Sequence, residues 1–292
     1  MATTIAIVGK GGDGKTTVAV NLGAQLTARG KKILLVDIAP TTGLTHYFAH
    51  KHSFCREKGG KRHYNLKIPT NIEGLKEQLL ACGAIMPKIY QEVHDEIDFL
   101  PLCFVNEIIN YVMSNNSDKW RTIVKDILQL YQTQNDYDYI LIDCPAPSYY
   151  LVQINALLAT DYVLCTMQPK FASMDAFEDT YECYLKVKSH LNPHLQFLGV
   201  VYSMSLPCYW TKNQVRTKDT MQERWSDKVH ILKNEIPLHN AIATAAELGR
   251  SVRNLCCYRR PDRWKYDKED RYFSSLCREI LNICEPPLPK AE

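Results

Sequence analysis

A chain of 292 residues, 46% apolar and 23% charged, has the composition of a globular protein with a sizeable core, in one large domain or two small ones. No apolar run approaches the roughly 18 residues of a membrane span, and MATTIAIVGK lacks the basic leader and cleavage site of a secretory signal, so neither insertion nor export is expected. The net charge of +3 conceals two basic concentrations: residues 51–63 carry five Lys/Arg against one Glu, and residues 250–271 carry eight against four acids. Eleven scattered cysteines with no C-x-x-C pair read as reduced, buried thiols of a cytoplasmic protein.

In chain order, TIAIVG (4–9) is a β-branched run ending in glycine, the pattern of a buried parallel strand. From Thr16 to Arg29, Val18, Leu22 and Leu26 recur on one helical face, and Gly30 stops the helix. ILLVD (33–37) is a second buried strand, which completes a βαβ unit with a glycine-rich first turn. The polar stretch about 51–70 reads as an inserted basic loop. His50, His52, Cys55 and His63 within and beside it fit no common zinc spacing, so a solvated loop is expected rather than a metal site. IDFLPL (97–102), DYILID (138–143), YVLCTM (162–167) and FLGVVYS (197–203) are further strands separated by helix-length segments. Near the end, Phe273, Leu276, Ile280 and Leu281 form the apolar face of a helix that packs on the core. Its other face is not strongly basic, so no membrane-surface helix is expected. Together these predict one domain over residues 1–292: a doubly wound α/β fold with a mostly parallel sheet and helices on both faces, closed by a helix and tail over about 266–292. No helix-turn-helix unit is expected in front, because the first strand begins almost at residue 1.

Residues 9–16 satisfy G-x-x-x-x-G-K-[ST] between that first strand and helix. Such glycines let backbone N–H groups of Gly11, Gly12, Asp13, Gly14, Lys15, Thr16 and Thr17 surround phosphate oxygens at a helix N-terminus. Lys15 is placed for the β- and γ-phosphates and the Thr16 hydroxyl for Mg²⁺. A magnesium nucleotide site also needs a strand-end carboxylate, and Asp143 supplies it after three buried aliphatic positions.

An ordinary phosphate loop does not require Lys10. With it, KGGDGKTT resembles the deviant Walker A loop, KGGxGKTT, of the ParA/MinD family of positioning ATPases. VDIAPTTGLT resembles the family's switch segment, usually VDxDPQxNLT. YDYILIDCPAP resembles its Walker B strand, and FLGVVYSMSLP and EIPLHNAIATAAELGRSV its late motifs. The resemblance runs in order over roughly residues 3–253 and is poor over 46–96.

What the resemblance implies is an ATP- and Mg²⁺-dependent homodimer. Lys10 crosses to the partner's phosphates, as an arginine finger does, and Asp37 assists the metal with Thr16 and Asp143. The second aspartate of the switch, thought to orient the attacking water, falls at Ala39, which can do no such work. The chain should therefore bind ATP, dimerise and hydrolyse slowly. Asp13, usually apolar in the family, is expected to point outward toward the facing protomer. Adenine is expected near Ser203, Met204 and Pro237. The basic run with Arg250, Arg253, Arg259, Arg260, Arg263 and Lys265 suits phosphate-backbone contacts, hence ATP-dependent, sequence-nonspecific DNA binding by a nucleoid-associated dimer. An adaptor protein would stimulate hydrolysis, and the cargo would be a plasmid, a chromosome or a protein organelle such as a carboxysome. The alternative is a metabolic or metal-cluster enzyme on the same scaffold, similar to the nitrogenase iron protein or dethiobiotin synthetase, for which Cys144 is the one suggestive thiol.

Overall fold

Runs of isoleucine, valine and leucine become the strands, and successive residues of each run leave the sheet on opposite faces. The structure, a computed structural model, describes residues 2–49, 55–58, 61–64, 90–94, 97–103, 105–114, 118–206, 211–258 and 267–285. The first half comprises β1 (Thr3–Val8), α1 (Lys15–Thr27), β2 (Ile33–Asp37), α2 (Gly43–Ala49), β3 (Cys55–Lys58), β4 (Lys61–Tyr64), β5 (Tyr90–His94), β6 (Ile97–Pro101), α3 (Val105–Ser114) and α4 (Ile123–Gln134). The second comprises β7 (Tyr139–Asp143), α5 (Tyr150–Leu158), β8 (Tyr162–Met167), α6 (Phe171–His190), β9 (Gln196–Tyr202), α7 (Lys212–Trp225), α8 (Asn240–Glu247), α9 (Val252–Tyr258) and α10 (Asp267–Cys284).

The main sheet runs β5-β6-β2-β7-β1-β8-β9. All neighbours are parallel except the edge pair β5–β6, which is antiparallel. Ala6, Val8, Leu34, Val36, Ile140 and Ile142 face one core, with α3, α4, α5 and α6 over it. Ile5, Ile7, Ile33, Leu35 and Leu141 face the other, under α1, α2, α8, α9 and α10. This is the expected doubly wound α/β architecture. The chain leaves β1 for β2 on one side and later returns to β8 on the other, so β1 lies at the switch in strand order. In open α/β sheets, ligands bind outside the carboxyl ends of the strands at such a point.

The strand expectations hold to within a residue or two, and α10 buries Phe273, Leu276 and Ile280 as expected. Helix α1 differs from the one-faced pattern: every residue from Val18 to Leu26 is buried. The reason is α10, which covers the side that would otherwise face water. Gln25 donates to Asp270 at 2.5 Å and Arg29 to Ser274 at 3.0 Å across that contact. Gly30 ends the helix region at φ 78°. The segment read as an inserted loop contains the β3–β4 antiparallel hairpin, with Cys55 opposite Tyr64. The histidines and cysteine weighed there as metal ligands have side chains outside the described residues.

Candidate functional site

The carboxyl ends of β1, β2 and β7 meet at one cavity of about 320 Å³, lined by Gly11, Gly12, Gly14, Lys15, Thr16, Thr17, Ala39, Thr41, Gly43, Asp143, Cys144, Pro145, Ala146 and Met204. Gly14 caps α1 at φ 80°, a left-handed conformation that a side chain would strain. At Gly43 a Cβ would come within 3.1 Å of Thr16 Oγ1, so glycine lets the switch segment close over the start of α1. The Lys15 ammonium curls over the loop and donates to the carbonyls of Gly9 and Lys10, each at 3.0 Å. Lys10 is half-buried, and among the described residues its ammonium makes no hydrogen bond or ion pair.

Two carboxylates stand side by side in register on β2 and β7, Asp37 and Asp143. Asp37 is fully buried and fully used. Its Oδ1 accepts from the Ala39 N–H at 3.0 Å, and its Oδ2 from the N–H and hydroxyl of Thr45, both at 2.7 Å. It therefore fastens both ends of the switch segment. Asp143 Oδ2 accepts from the Thr16 hydroxyl at 2.5 Å, while the buried Oδ1 has no partner among the described residues. Burial, and then the Asp37 charge, pushes the Asp143 carboxyl up to about 7. A buried, half-satisfied acid beside a second acid and a hydroxyl is an arrangement that a divalent cation would satisfy. The residues present thus fit Mg²⁺, held by Thr16 and Asp143, with a triphosphate against the loop.

Asp13 corrects the expectation of an outward carboxylate. It is 1% exposed, and its Oδ1 accepts from Ser173 Oγ at 2.9 Å, on α6. Its carbonyl accepts from Ser203 Oγ at 2.6 Å. Burial pushes the Asp13 carboxyl up from its ordinary value, against the pull of the Ser173 hydrogen bond and of Lys15 and Lys10. Turning inward keeps the acid away from the phosphates and ties the loop to β9 and α6. No local signal in the sequence could have named Ser173, 160 residues away. Thr45, by contrast, closes the quoted switch segment and was within reach of it.

Met204 stands at φ 50° on the cavity wall. Pro237 is joined to Ser205 beside it by a bridge but does not line the cavity. Cys144 is buried, donates to the Ile142 carbonyl at 3.6 Å, and is pushed well above the ordinary thiol range by burial. In the basic region, Arg250 is half-buried and Arg253 pairs with Asp270 at 3.8 Å. Arg259, Arg260, Arg263 and Lys265 lie outside the described residues. Among the described residues no helix is long and apolar enough to cross a membrane.

Comparison with known proteins agrees with this geometry. The family model AAA_31, described as an AAA domain, matches residues 2–197. The sporulation initiation inhibitor protein Soj of Bacillus subtilis is 29% identical over 86% of this chain and 90% of its own length. The chromosome partitioning protein ParA of Caulobacter vibrioides is 26% identical over 83% of each. Among solved structures, apo McdA from Cyanothece superposes with a TM-score of 0.72 at 20% identity, covering 96% of this chain and 100% of that one. Cobyrinic acid a,c-diamide synthase from Mycobacterium smegmatis, with bound ATP analog and magnesium, gives 0.70 at 19% identity, covering 98% and 97%. With a two-lysine phosphate loop, a strand-end Asp143 and a switch segment fastened to Asp37, the chain belongs to the AAA_31 family and is a ParA/MinD-type P-loop ATPase.

Proposed function

We propose that the chain is an ATP- and Mg²⁺-dependent homodimeric switch that grips DNA without sequence preference and positions a cargo. The observation that carries this reading is the second lysine. Lys15 alone serves the phosphates of its own loop, yet Lys10 sits five residues earlier with an ammonium that neither pairs nor hydrogen-bonds among the described residues. A cation so placed is available to a triphosphate held by a second copy.

On this reading the backbone N–H groups of Gly11 to Thr17 bind the phosphates, and Lys15 exchanges its two carbonyl acceptors for phosphate oxygens. When bound, Mg²⁺ would supply charge neutralisation to the phosphates. Thr16 and Asp143 would hold it, while Asp37, expected to assist the metal, has both oxygens taken by Ala39 and Thr45 and keeps the switch segment in place. Lys10 spreads charge on the partner's transferred phosphoryl. Ala39, 4% exposed on the cavity wall, offers only a methyl group where a water-orienting carboxylate belongs. Loss of such a group costs ~10²–10⁴-fold in rate, so the ATP-bound dimer persists. Arg250, Arg253, Arg259, Arg260, Arg263 and Lys265 meet the DNA backbone, and dimerisation doubles the phosphate contacts. An adaptor protein accelerates the hydrolysis that releases the grip, and the setting is the cytoplasm and nucleoid. A metal-cluster enzyme finds little support here, since Cys144 is a buried thiol bonded to its own strand.

Retention of an arbitrary duplex on a column of the protein tests the reading. Retention is expected with ATP, not with ADP, and is lost between about 50 and 200 mM salt, as counterion release requires. Equal retention with both nucleotides, or none with ATP, contradicts it.

A further inference from the structure

Among the described residues, only two that are not glycine have a left-handed backbone, Thr42 at φ 54° and Met204 at φ 50°. Met204 is on the wall of the nucleotide cavity, and Thr42 stands between two residues that are, Thr41 and Gly43. A β-branched side chain is poorly tolerated in this region, because it crowds the flanking peptide groups. Strain of that kind persists only where neighbouring contacts hold it, and it gathers at working sites.

The contacts that hold Thr42 are local. Its N–H donates to the Ala39 carbonyl at 2.8 Å, which closes a turn. Its hydroxyl donates to the Thr41 carbonyl at 2.8 Å. One turn into α2, the His46 ring comes back over the same residue. Its Nδ1 lies 2.6 Å from the Thr42 carbonyl oxygen and 2.7 Å from Thr42 Oγ1. These partners assign the ring's proton. A carbonyl oxygen only accepts, and the Thr42 hydroxyl already gives its hydrogen to Thr41, so Nδ1 is the donor to both.

Asp37 fastens the switch segment at Ala39 and at Thr45, but Thr41 and Gly43 lie between those points. Their place on the cavity wall follows from the backbone of Thr42. The fit is close at Gly43, where a Cβ would meet Thr16 Oγ1 at 3.1 Å and Asp143 Oδ2 at 3.9 Å, the two groups placed for Mg²⁺. Relaxing Thr42 to an ordinary negative φ would re-aim this stretch and undo that fit.

We infer that His46 is a positioning residue for the ATP site: its Nδ1–H holds Thr42 in the left-handed conformation that keeps Thr41 and Gly43 against the cavity. The ring stands outside the cavity lining and acts through Thr42. Without it the strained conformer is only fractionally populated, and the apparent ATP affinity falls by that fraction. The role rests on the reading of this cavity as the ATP·Mg²⁺ site and asks nothing of dimerisation or DNA.

Two measurements on the full chain test it. The first needs no nucleotide. In protein with ¹⁵N-labelled histidine at about pH 8.5, well above the ordinary histidine value, the neutral His46 ring should carry its proton on Nδ1. A ring protonated on Nε2 alone overturns the inference. The second is the Kd of a fluorescent ATP analogue with Mg²⁺. His46→Ala should weaken binding by about tenfold, the scale of one unsupported left-handed residue. His46→Asn, whose amide N–H can reach the same oxygens, should recover most of that loss. Adding Thr42→Gly to His46→Ala should recover it too, because glycine takes a positive φ unaided. A histidine that merely stabilised α2 would not be rescued from position 42. Parent-like affinity in His46→Ala, or a loss that Thr42→Gly leaves in place, overturns the inference. No binding by the parent would overturn the nucleotide reading instead, with the hold of His46 on Thr42 still judged by the tautomer.

Discussion

The phosphate loop and the switch segment rise from β1 and β2, on either side of β7, and both are tightly built. In the loop, the backbone N–H groups proposed to bind phosphate are fixed by glycine conformations and by the hydrogen bonds of Asp13 with Ser173 and Ser203. In the switch segment, Asp37 is held by three hydrogen bonds, and the position two residues later presents only the methyl of Ala39. On the proposed reading, one region has every group that binding needs, and the other keeps its scaffold without a water-orienting side chain. Binding and turnover would then be carried by separable pieces.

The largest expected effect sharpens that contrast. Ala39→Asp should raise ATP turnover by ~10²–10⁴-fold with little change in nucleotide affinity, measured by phosphate release and by titration of a fluorescent ATP analogue. A parallel change in affinity would mean that the two regions are not separable. Next, Asp143→Asn strikes the binding side. Its neutral amide should weaken Mg²⁺-dependent ATP binding by ~10–100-fold while leaving metal-free ADP binding nearly intact, by calorimetry with and without chelator.

Smaller effects probe the scaffolds. Thr45→Val removes one hydroxyl donor from buried Asp37 and should cost ~1–2 kcal/mol, a drop of ~2–4 °C in Tm, without touching a loop residue. Asp13→Asn keeps the bond from Ser173 and removes a buried charge. Because burial raises the Asp13 pKa in the folded protein, the folded state holds its proton to higher pH than the unfolded chain. The parent thus loses stability as pH rises from the ordinary value of 3.8 through the raised one, and the asparagine variant does not. The variant should melt higher than the parent at pH 8 and equal it near pH 4.

Much of this was legible in the residues. The six parallel strands announce themselves because each is largely buried and reads as a nearly continuous apolar run, unlike the antiparallel edge strand β5, YQEVH, which was not expected, and the loop because its spacing is set by phosphate geometry. Asp143 was legible for the same reason, as an acid at the end of such a run. Other features were not. The all-round burial of α1 from Val18 to Leu26 depends on α10, some 250 residues later, and a one-helix pattern cannot register it. The inward turn of Asp13 depends on Ser173, a partner named only by folding. The β3–β4 hairpin, RE and KRH in its middle, lacks the alternation by which a half-buried strand is recognised. The first two are long-range choices; the hairpin is a local one, and the Gly59-Gly60 pair between its two runs was the signal that could have found it.

The central claim is that two copies close on ATP and, for want of a carboxylate at position 39, stay closed. Light scattering behind gel filtration tests it directly, with this chain and its Ala39→Asp variant each run in ATP·Mg²⁺ and in ADP. The account predicts a lasting dimer for the chain in ATP, a dimer that decays to monomer for the variant, and monomers for both in ADP. A chain that remains monomeric in saturating ATP, or dimers that persist equally in both nucleotides, would contradict it.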